Sequence, residues 1–113
     1  MAVAVIAHYP DLSAGSYDEV IASLELDVNP PAGAILHVAG GDDGLVITEI
    51  WQTEETFRAF YDYRLRPALR SHGVEREPTV EIGPLRNVFA PEMATVERMG
   101  SVSLPATYSG AVL

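Results

Sequence analysis

The 113-residue sequence predicts an α+β domain of the ferredoxin-like class, with elements in the order β-α-β-β-α-β. Four β-branched or apolar runs predict the strands, and two stretches with apolar residues at helical spacing predict the helices. The segment GGDDG, whose residues tolerate positive φ, joins the second and third runs and predicts a hairpin turn. A chain of this length is expected to form one domain that buries a core without covalent staples.

Residues at their ends predict where the first strand and the first helix begin and stop. Val3 to Tyr9 (VAVIAHY) is a β-branched run that Pro10 closes, as expected for a buried strand. Ser16 is the predicted N-cap of the first helix, because Glu19 follows three residues later and completes a capping box. The apolar stripe of this helix is formed by Val20, Ile21 and Leu24. The two prolines of DVNPPAG end the helix.

The second half repeats the pattern. AILHVA (residues 34–39) and LVITEIWQ (residues 45–52) are the predicted hairpin strands, and Thr53 is the predicted cap of the second helix. Pro67 is expected to kink or split this helix, and Gly73 to cap its C-terminus. The apolar stripe of the second helix is formed by Phe57, Phe60, Tyr61, Leu65 and Leu69.

The fourth strand is predicted over residues 79–91 (TVEIGPLRNVFAP), with an interruption near Gly83 and Pro84. Residues 92–113 form a C-terminal extension, which is either an extra strand that reaches a partner subunit or a loose tail.

The hairpin places polar side chains on an apolar sheet. Alternate residues of a strand share a face, so His37, Glu49 and Trp51 are expected on one face with Ile35, Ala39 and Ile47. A five-residue loop would set His37 opposite Ile47. We expect the helices to cover the other face, formed by Leu36, Val38, Val46, Thr48 and Ile50. The His37 face would then be bare unless a second copy of the sheet covered it, which predicts a homodimer.

Composition excludes several classes of chemistry. The chain has no cysteine and no lysine, which excludes disulfides, thiol nucleophiles and lysine Schiff bases. Its net charge of −9 argues against a nucleic-acid partner. No apolar run is long enough to span a membrane, and MAVAVIAHYP lacks the features of a signal peptide, so a cytoplasmic protein is expected.

The order of elements, the segment ITEIWQTEETFRAFYDYRLRPAL and the closing EIGPLRNVFAP together resemble the dimeric α+β barrel superfamily, in particular its antibiotic-biosynthesis-monooxygenase-like branch. The resemblance covers residues 1–91, the predicted barrel domain. It implies that two sheets close face to face into a dimeric barrel, with a pocket in each subunit that lies either between its sheet and its helices or within the barrel lumen. Haem-degrading members carry an axial histidine shortly after the tryptophan. QTEETFRAFYDYRL contains none, so haem is not predicted. No Gly-rich loop follows a strand and opens a helix, so no nucleotide cofactor is predicted either, and the expected number of cofactors is none.

Glu49 and His37 are the candidate catalytic residues. A carboxylate on an apolar strand can act as a general base or acid, whereas the plainer alternative is an ion pair with Arg86 or with an arginine of the partner subunit. His37 is a proton shuttle, a metal ligand or a core histidine that bonds a backbone carbonyl. The scattered histidines form no H-x-x-x-H or H-E-x-x-H motif, so no metal site is predicted.

Five residues are candidates for substrate binding. Trp51 is either core or, as the resemblance suggests, the flat wall of an aromatic pocket, and Tyr61 is expected to join it. Asn87 is expected to be a buried amide that holds a substrate oxygen or pairs with backbone, and Arg86 is a candidate oxyanion partner. His8 is the weakest candidate, because a core position explains it as well. His72, which is not among the five, is explained by helix capping.

The function that this resemblance implies is enzymatic. A homodimer would bind a small apolar or aromatic, polyketide-like molecule and act without a prosthetic group, as in the oxygenation of phenolic anthrones, where the deprotonated substrate itself reduces O₂. A cyclase, isomerase or lyase would use the same base. The alternative from another class is a non-catalytic ligand-binding accessory dimer, in which His37 and Glu49 pair with each other or with arginines.

Overall fold

The computed structural model describes residues 1–42 and 44–102. A four-stranded antiparallel sheet has the order β2-β3-β1-β4. The predicted β-α-β-β-α-β order of a ferredoxin-like domain is confirmed. The elements are β1 (Val3–Tyr9), α1 (Ala14–Leu24), β2 (Ala34–Gly40), β3 (Leu45–Trp51), α2 (Glu54–Phe60), a π-helical turn (Tyr61–Leu65), α3 (Arg66–Ser71), β4 (Thr79–Pro84) and α4 (Met93–Met99).

The core lies between one face of the sheet and the helices. Alternate residues of β1, Val5, Ala7 and Tyr9, point into it and are almost fully buried. Each fully buried aliphatic or aromatic side chain contributes about 1.5–3 kcal/mol of hydrophobic stabilisation. Facing them across the core are Leu12, Val20, Leu24, Phe57, Tyr61, Leu69 and Val74.

The helices cover the face that carries His37, Glu49 and Trp51, which reverses the prediction. Trp51 is 2% exposed and Ile47 5% exposed beneath the helices. The bare face instead presents Ile6, Val38 and Val46, which are 44–52% exposed. Strand alternation separates the two faces correctly, but both are apolar, so the local pattern carries no signal for which one the helices cover.

The hairpin register also differs from the prediction. His37 lies directly opposite Glu49, and Ala39 lies opposite Ile47, because the ladder continues to a Gly40–Val46 pair. The shift is two residues, so the side chains keep their predicted faces. An irregularity between Ala34 and Leu36 adjusts the start of β2.

The N-cap of helix α1 lies three residues before the predicted one. Ser13, and not Ser16, is the N-cap, because its hydroxyl accepts a hydrogen bond of 3.1 Å from the backbone N–H of Ser16. The predicted stripe is confirmed at Val20 and Leu24, which are buried.

The second helical stretch begins and ends as predicted. Thr53 caps α2 in a reciprocal bond with Thr56. Pro67 stands at the start of α3, directly after the π-helical turn, where its missing N–H and its ring interrupt regular helix geometry. Gly73, at φ +83°, follows α3, and the N–H of Val74 bonds the carbonyl of Leu69 at 2.9 Å in a Schellman arrangement.

The structure differs from the prediction in two respects within the described C-terminal residues. Strand β4 ends at Pro84, so residues 85–90 lie outside the sheet. Residues 93–99 form α4, a helix with no buried residue, in place of a strand or loose tail. Residues 103–113 of the predicted extension lie outside the described residues. Within residues 1–42 and 44–102, no helix is long and apolar enough to cross a membrane.

Candidate functional site

Four side chains on the helix side of the sheet form a continuous chain of hydrogen bonds. The Tyr17 hydroxyl is 2.7 Å from His37 Nε2, and His37 Nδ1 is 2.6 Å from Glu49 Oε2. The indole N–H of Trp51 donates to Glu49 Oε1 at 2.9 Å. We call Tyr17, His37, Glu49 and Trp51 the tetrad.

The sheet itself builds three members of the tetrad. His37 and Glu49 are directly opposite one another in the β2–β3 ladder, which brings their side chains together on one face. Trp51 is two residues beyond Glu49 on the same strand and therefore shares that face. Tyr17 reaches His37 from α1, which packs over the sheet.

Glu49 is the buried acceptor at the centre of the tetrad. It is 7% exposed, and each of its two oxygens receives one hydrogen bond, from His37 and from Trp51. A buried carboxylate requires such donors, because desolvation without them costs several kcal/mol. Glu49 is therefore positioned to hold the His37 ring, and its oxygens are already occupied.

These contacts favour one tautomer of a neutral His37 beside an ionised Glu49. An ionised Glu49 can only accept, so Nδ1 of the neutral imidazole carries the hydrogen and Nε2 presents its lone pair. The Tyr17 hydroxyl then donates to Nε2. The His37 side chain is 38% exposed, so this end of the tetrad is within reach of a small molecule.

The Tyr17 hydroxyl is held in its protonated form. Burial, followed by the negative charges of Glu49 and Asp18, raises the pKa of Tyr17 to about 12. At neutral pH the phenol is therefore a hydrogen-bond donor, as the His37 tautomer requires.

An aromatic row extends from the tetrad into the core. Trp51 contacts Phe57 edge-to-face with ring centroids 5.9 Å apart, and it contacts Phe60 at 5.5 Å. Phe57 continues to Tyr61 at 6.3 Å. We call Trp51, Phe57 and Tyr61 the aromatic row. Such contacts add about 0.5–1.5 kcal/mol per pair beyond area burial.

Tyr61 lies at the far end of the aromatic row, in a different polar environment. Its hydroxyl donates to Glu77 at 3.0 Å, and the Arg66 guanidinium is 4.8 Å from its ring centroid. Burial and the neighbouring Glu77 raise the pKa of Tyr61. Tyr61 was predicted to join Trp51. In the structure, Phe57 contacts both rings and links the two.

The structure brings together His37, Glu49 and Trp51 but not the remaining candidates. His8 lies on the opposite, exposed face of the sheet. Arg86 and Asn87 are exposed beyond the end of β4, so the prediction that Asn87 is a buried amide is wrong. Strand alternation does not apply to Asn87, because the ladder has already ended at Pro84.

The structure also tests two non-catalytic explanations, the ion pair proposed for Glu49 and the capping role proposed for His72. The ion pairs among the described residues do not include one between Glu49 and Arg86; Glu49 pairs with His37 instead. His72 Nδ1 lies 2.8 Å from the carbonyl oxygen of Ala68 at the end of α3, which confirms a capping role.

Tyr17 was not among the sequence-predicted site residues. The sequence nevertheless indicates which way Tyr17 faces. Tyr17 precedes Val20 and Ile21 by three and four residues and so lies on the same helical stripe. The stripe indicates that Tyr17 faces the sheet. Only the three-dimensional arrangement of α1 against β2 shows that it meets His37.

Comparison with known proteins identifies the fold. No protein-family model matches the sequence, and no curated protein matches it. Among solved structures, a candidate antibiotic biosynthesis monooxygenase from Chloroflexus aurantiacus J-10-fl matches at 18% identity and a TM-score of 0.57, covering 80% of this chain and 98% of that one. The chain has the fold of the antibiotic-biosynthesis-monooxygenase-like proteins.

Two Streptomyces proteins share this monooxygenase-like fold. The monooxygenase from the gene ActVA-Orf6 of Streptomyces coelicolor, solved with the ligand nanaomycin D, matches at 18% identity and a TM-score of 0.53, covering 80% of this chain and 91% of that one. A mutant of SnoaB, a cofactor-independent oxygenase from Streptomyces nogalater, matches at 16% identity and a TM-score of 0.50, covering 80% and 97%. Identities at this level establish the fold alone.

The tetrad lines neither of two cavities found among the described residues 1–42 and 44–102. A groove of about 570 Å³ runs between the end of α1 and α3, beside Arg64. A smaller cavity of about 130 Å³ lies at the end of the aromatic row, between Tyr61 and Glu77. Within residues 1–42 and 44–102, no three His, Cys, Asp or Glu side chains come close enough to hold a metal ion.

Proposed function

We propose that the chain is a homodimeric enzyme that removes a proton from a small, apolar aromatic substrate, with chemistry like that of the cofactor-independent oxygenases. The observation that carries this proposal is the 2.6 Å contact between His37 and the buried Glu49. A histidine held by a carboxylate at one nitrogen, with the other nitrogen free of its proton, is the arrangement of a general base.

Glu49 and His37 divide the work in this proposal. His37 Nε2 accepts the proton, directly or through a bound hydroxyl, and Glu49 orients the ring and stabilises the imidazolium that forms. Glu49 is not the primary base, since both of its oxygens are occupied. The apolar surroundings strengthen the attraction between Glu49 and the imidazolium.

For a phenolic anthrone the chemistry is balanced without a further reagent. The ring methylene next to the conjugated carbonyl system loses a proton, and the resulting carbanion transfers one electron to O₂. The substrate radical and superoxide combine into a peroxide, which loses water to leave the quinone. One anthrone and one O₂ thus give one quinone and one water. The cofactor-independent oxygenase SnoaB supports this assignment by its shared fold.

The aromatic row supports an aromatic substrate. Trp51 and Phe57 place ring faces behind His37 and Glu49, and because they are 2% and 4% exposed, a planar ligand would pack against them only by displacing the side chains that bury them. The substrate-binding roles predicted for His8, Tyr61, Arg86 and Asn87 stay predictions, and the structure places these four residues apart from the tetrad.

Oxygen uptake with 1,8-dihydroxyanthrone tests the proposal. We expect His37→Ala and Glu49→Gln each to lower turnover on the order of 10²-fold or more, because each removes part of the general base. Glu19→Gln, at an exposed position of α1, is the matched control and should retain full turnover. Undiminished turnover in both site variants would rule out this mechanism.

The same assay separates the other reactions open to such a base. Conversion of an aromatic ketone substrate without oxygen uptake, abolished by His37→Ala, would indicate a cyclase, isomerase or lyase. These enzymes also begin with proton transfer next to a carbonyl, so the role of the tetrad would be unchanged.

The bare sheet face supports the homodimer. Ile6, Val38 and Val46 form an exposed apolar surface on neighbouring strands, and monomers rarely leave such a surface uncovered. This is the face opposite the tetrad, so the dimer would not itself enclose His37.

We expect the purified protein to be a dimer by light scattering, and Val46→Glu to convert it to a monomer because a charge would be buried at the interface. Val46→Thr keeps the β-branched shape and is the matched control. A wild-type protein that is monomeric at micromolar concentration would contradict the dimer.

A non-catalytic accessory dimer is the second candidate, and one observation favours it. His37 and Glu49 satisfy each other, while Tyr17 and Trp51 occupy their remaining polar atoms. Calorimetric binding of 1,8-dihydroxyanthrone without oxygen uptake or product would select this function over catalysis.

A further inference from the structure

Both nitrogens of the proposed base are engaged in the resting protein. Nδ1 is bonded to Glu49, and Nε2 faces the Tyr17 hydroxyl at 2.7 Å. The ring planes of Tyr17 and His37 lie within 14° of parallel, with centroids 6.0 Å apart. A proton that leaves a substrate can therefore reach Nε2 only through the Tyr17 oxygen or after Tyr17 has moved away.

Building on the proposed function, we propose that Tyr17 is a further catalytic residue, whose hydroxyl is the substrate-facing end of a Tyr17–His37–Glu49 proton relay. Two proton transfers make up the step. The substrate C–H proton passes to the Tyr17 oxygen while the hydroxyl proton of Tyr17 passes to His37 Nε2. The products are a substrate carbanion, a neutral Tyr17, an imidazolium and the unchanged Glu49 carboxylate, so charge and atoms balance.

The relay also reverses one hydrogen bond. Before the step, Tyr17 donates to Nε2; after it, the Nε2–H of the imidazolium donates to the Tyr17 oxygen. The hydrogen of Tyr17 is then no longer directed at His37 and points toward the new anion. Protonation of the base thus supplies a hydrogen-bond donor to the substrate at the moment when negative charge develops there.

The position of Tyr17 supports this role. Tyr17 is half-buried on α1, so one part of its ring packs against the core while its hydroxyl remains beside the 38%-exposed His37 side chain. Burial and the charges of Glu49 and Asp18 raise the pKa of Tyr17 further above neutral pH, so its phenol stays protonated there. A protonated hydroxyl with free lone pairs can both give and receive a proton.

The test separates proton abstraction from oxygenation. Under nitrogen in deuterated buffer, exchange at the ring methylene of 1,8-dihydroxyanthrone is followed by proton NMR and corrected for the buffer rate. We expect wild type to accelerate exchange and Tyr17→Phe to lose on the order of 10²-fold of that acceleration. Tyr63→Phe, at an 82%-exposed tyrosine of the π-helical turn, is the matched control and should exchange like wild type.

A second variant distinguishes chemistry from packing. Difluorotyrosine placed at position 17 keeps the ring and hydroxyl but lowers the phenol pKa, so the alkaline limb of the exchange profile should shift to lower pH. A residue that acts only by packing would leave that limb in place. This variant also serves if Tyr17→Phe fails to fold by circular dichroism.

Each outcome has a separate meaning. Equal exchange by wild type and Tyr17→Phe, or an alkaline limb that does not move, overturns the relay and leaves the proposed oxygenase intact. Tyr17-dependent exchange without oxygen uptake in air supports the relay and overturns the oxygenase. Wild type without accelerated exchange overturns both.

Discussion

Trp51→Ala is expected to lower the free energy of unfolding by about 3–5 kcal/mol, as measured by urea denaturation followed by circular dichroism. Trp51 is 2% exposed and is among the largest fully buried side chains of the described residues. Its removal would leave a large cavity beside Phe57 and Phe60. It would also leave Glu49 buried with a single donor, His37.

Trp51→Phe separates these two causes. A phenyl ring retains much of the packing but lacks the indole N–H, so the expected loss is about 1–3 kcal/mol, the usual cost of a buried acceptor that loses its donor. A loss of under about 1 kcal/mol for Trp51→Ala would show that the ring is less tightly packed than the structure indicates.

Gly33→Ala carries the second large expected effect, a loss of about 2–4 kcal/mol in unfolding free energy. Gly33 adopts φ +85°, a left-handed conformation that alanine rarely tolerates. A Cβ at this position would also lie 2.5 Å from Thr56 Oγ1 and 2.6 Å from Thr56 Cβ. Thr56 cannot move away without breaking its reciprocal bond with Thr53 at the start of α2.

Gly15→Ala is the matched control, because Gly15 lies within α1 and a Cβ there meets no atom within 4 Å. Alanine is the better helix former, so this variant should be about 0.5–1 kcal/mol more stable than wild type. If Gly33→Ala unfolded at the same urea concentration as Gly15→Ala, the close approach of Gly33 to Thr56 would be disproved.

The element order was predictable because local signals agreed with the global fold. The β-branched runs, Thr53 as a cap and Gly73 as a C-terminal residue each act through their immediate neighbours in sequence. The same local reasoning predicted that His37, Glu49 and Trp51 share a face, since side chains alternate strictly along a strand.

Features that depend on packing were not predictable. Both sheet faces are apolar, so the sequence does not say which one the helices cover, and Ile6 or Val46 could have been core. Asn87 follows a run that looks like strand, but the ladder between β1 and β4 ends at the Val3–Pro84 pair. Ser13 and Ser16 are both suitable caps, and only the path of the chain into α1 selects Ser13.

The intrinsic fluorescence of Trp51 reports on the tetrad. Trp51 is the chain's only tryptophan, so all indole emission comes from one ring, and that ring's N–H is bonded to Glu49. A molecule that displaces Tyr17 alters the field around this single fluorophore. Compound collections can therefore be screened against the protein by its own emission, without an attached dye and without an assay of turnover.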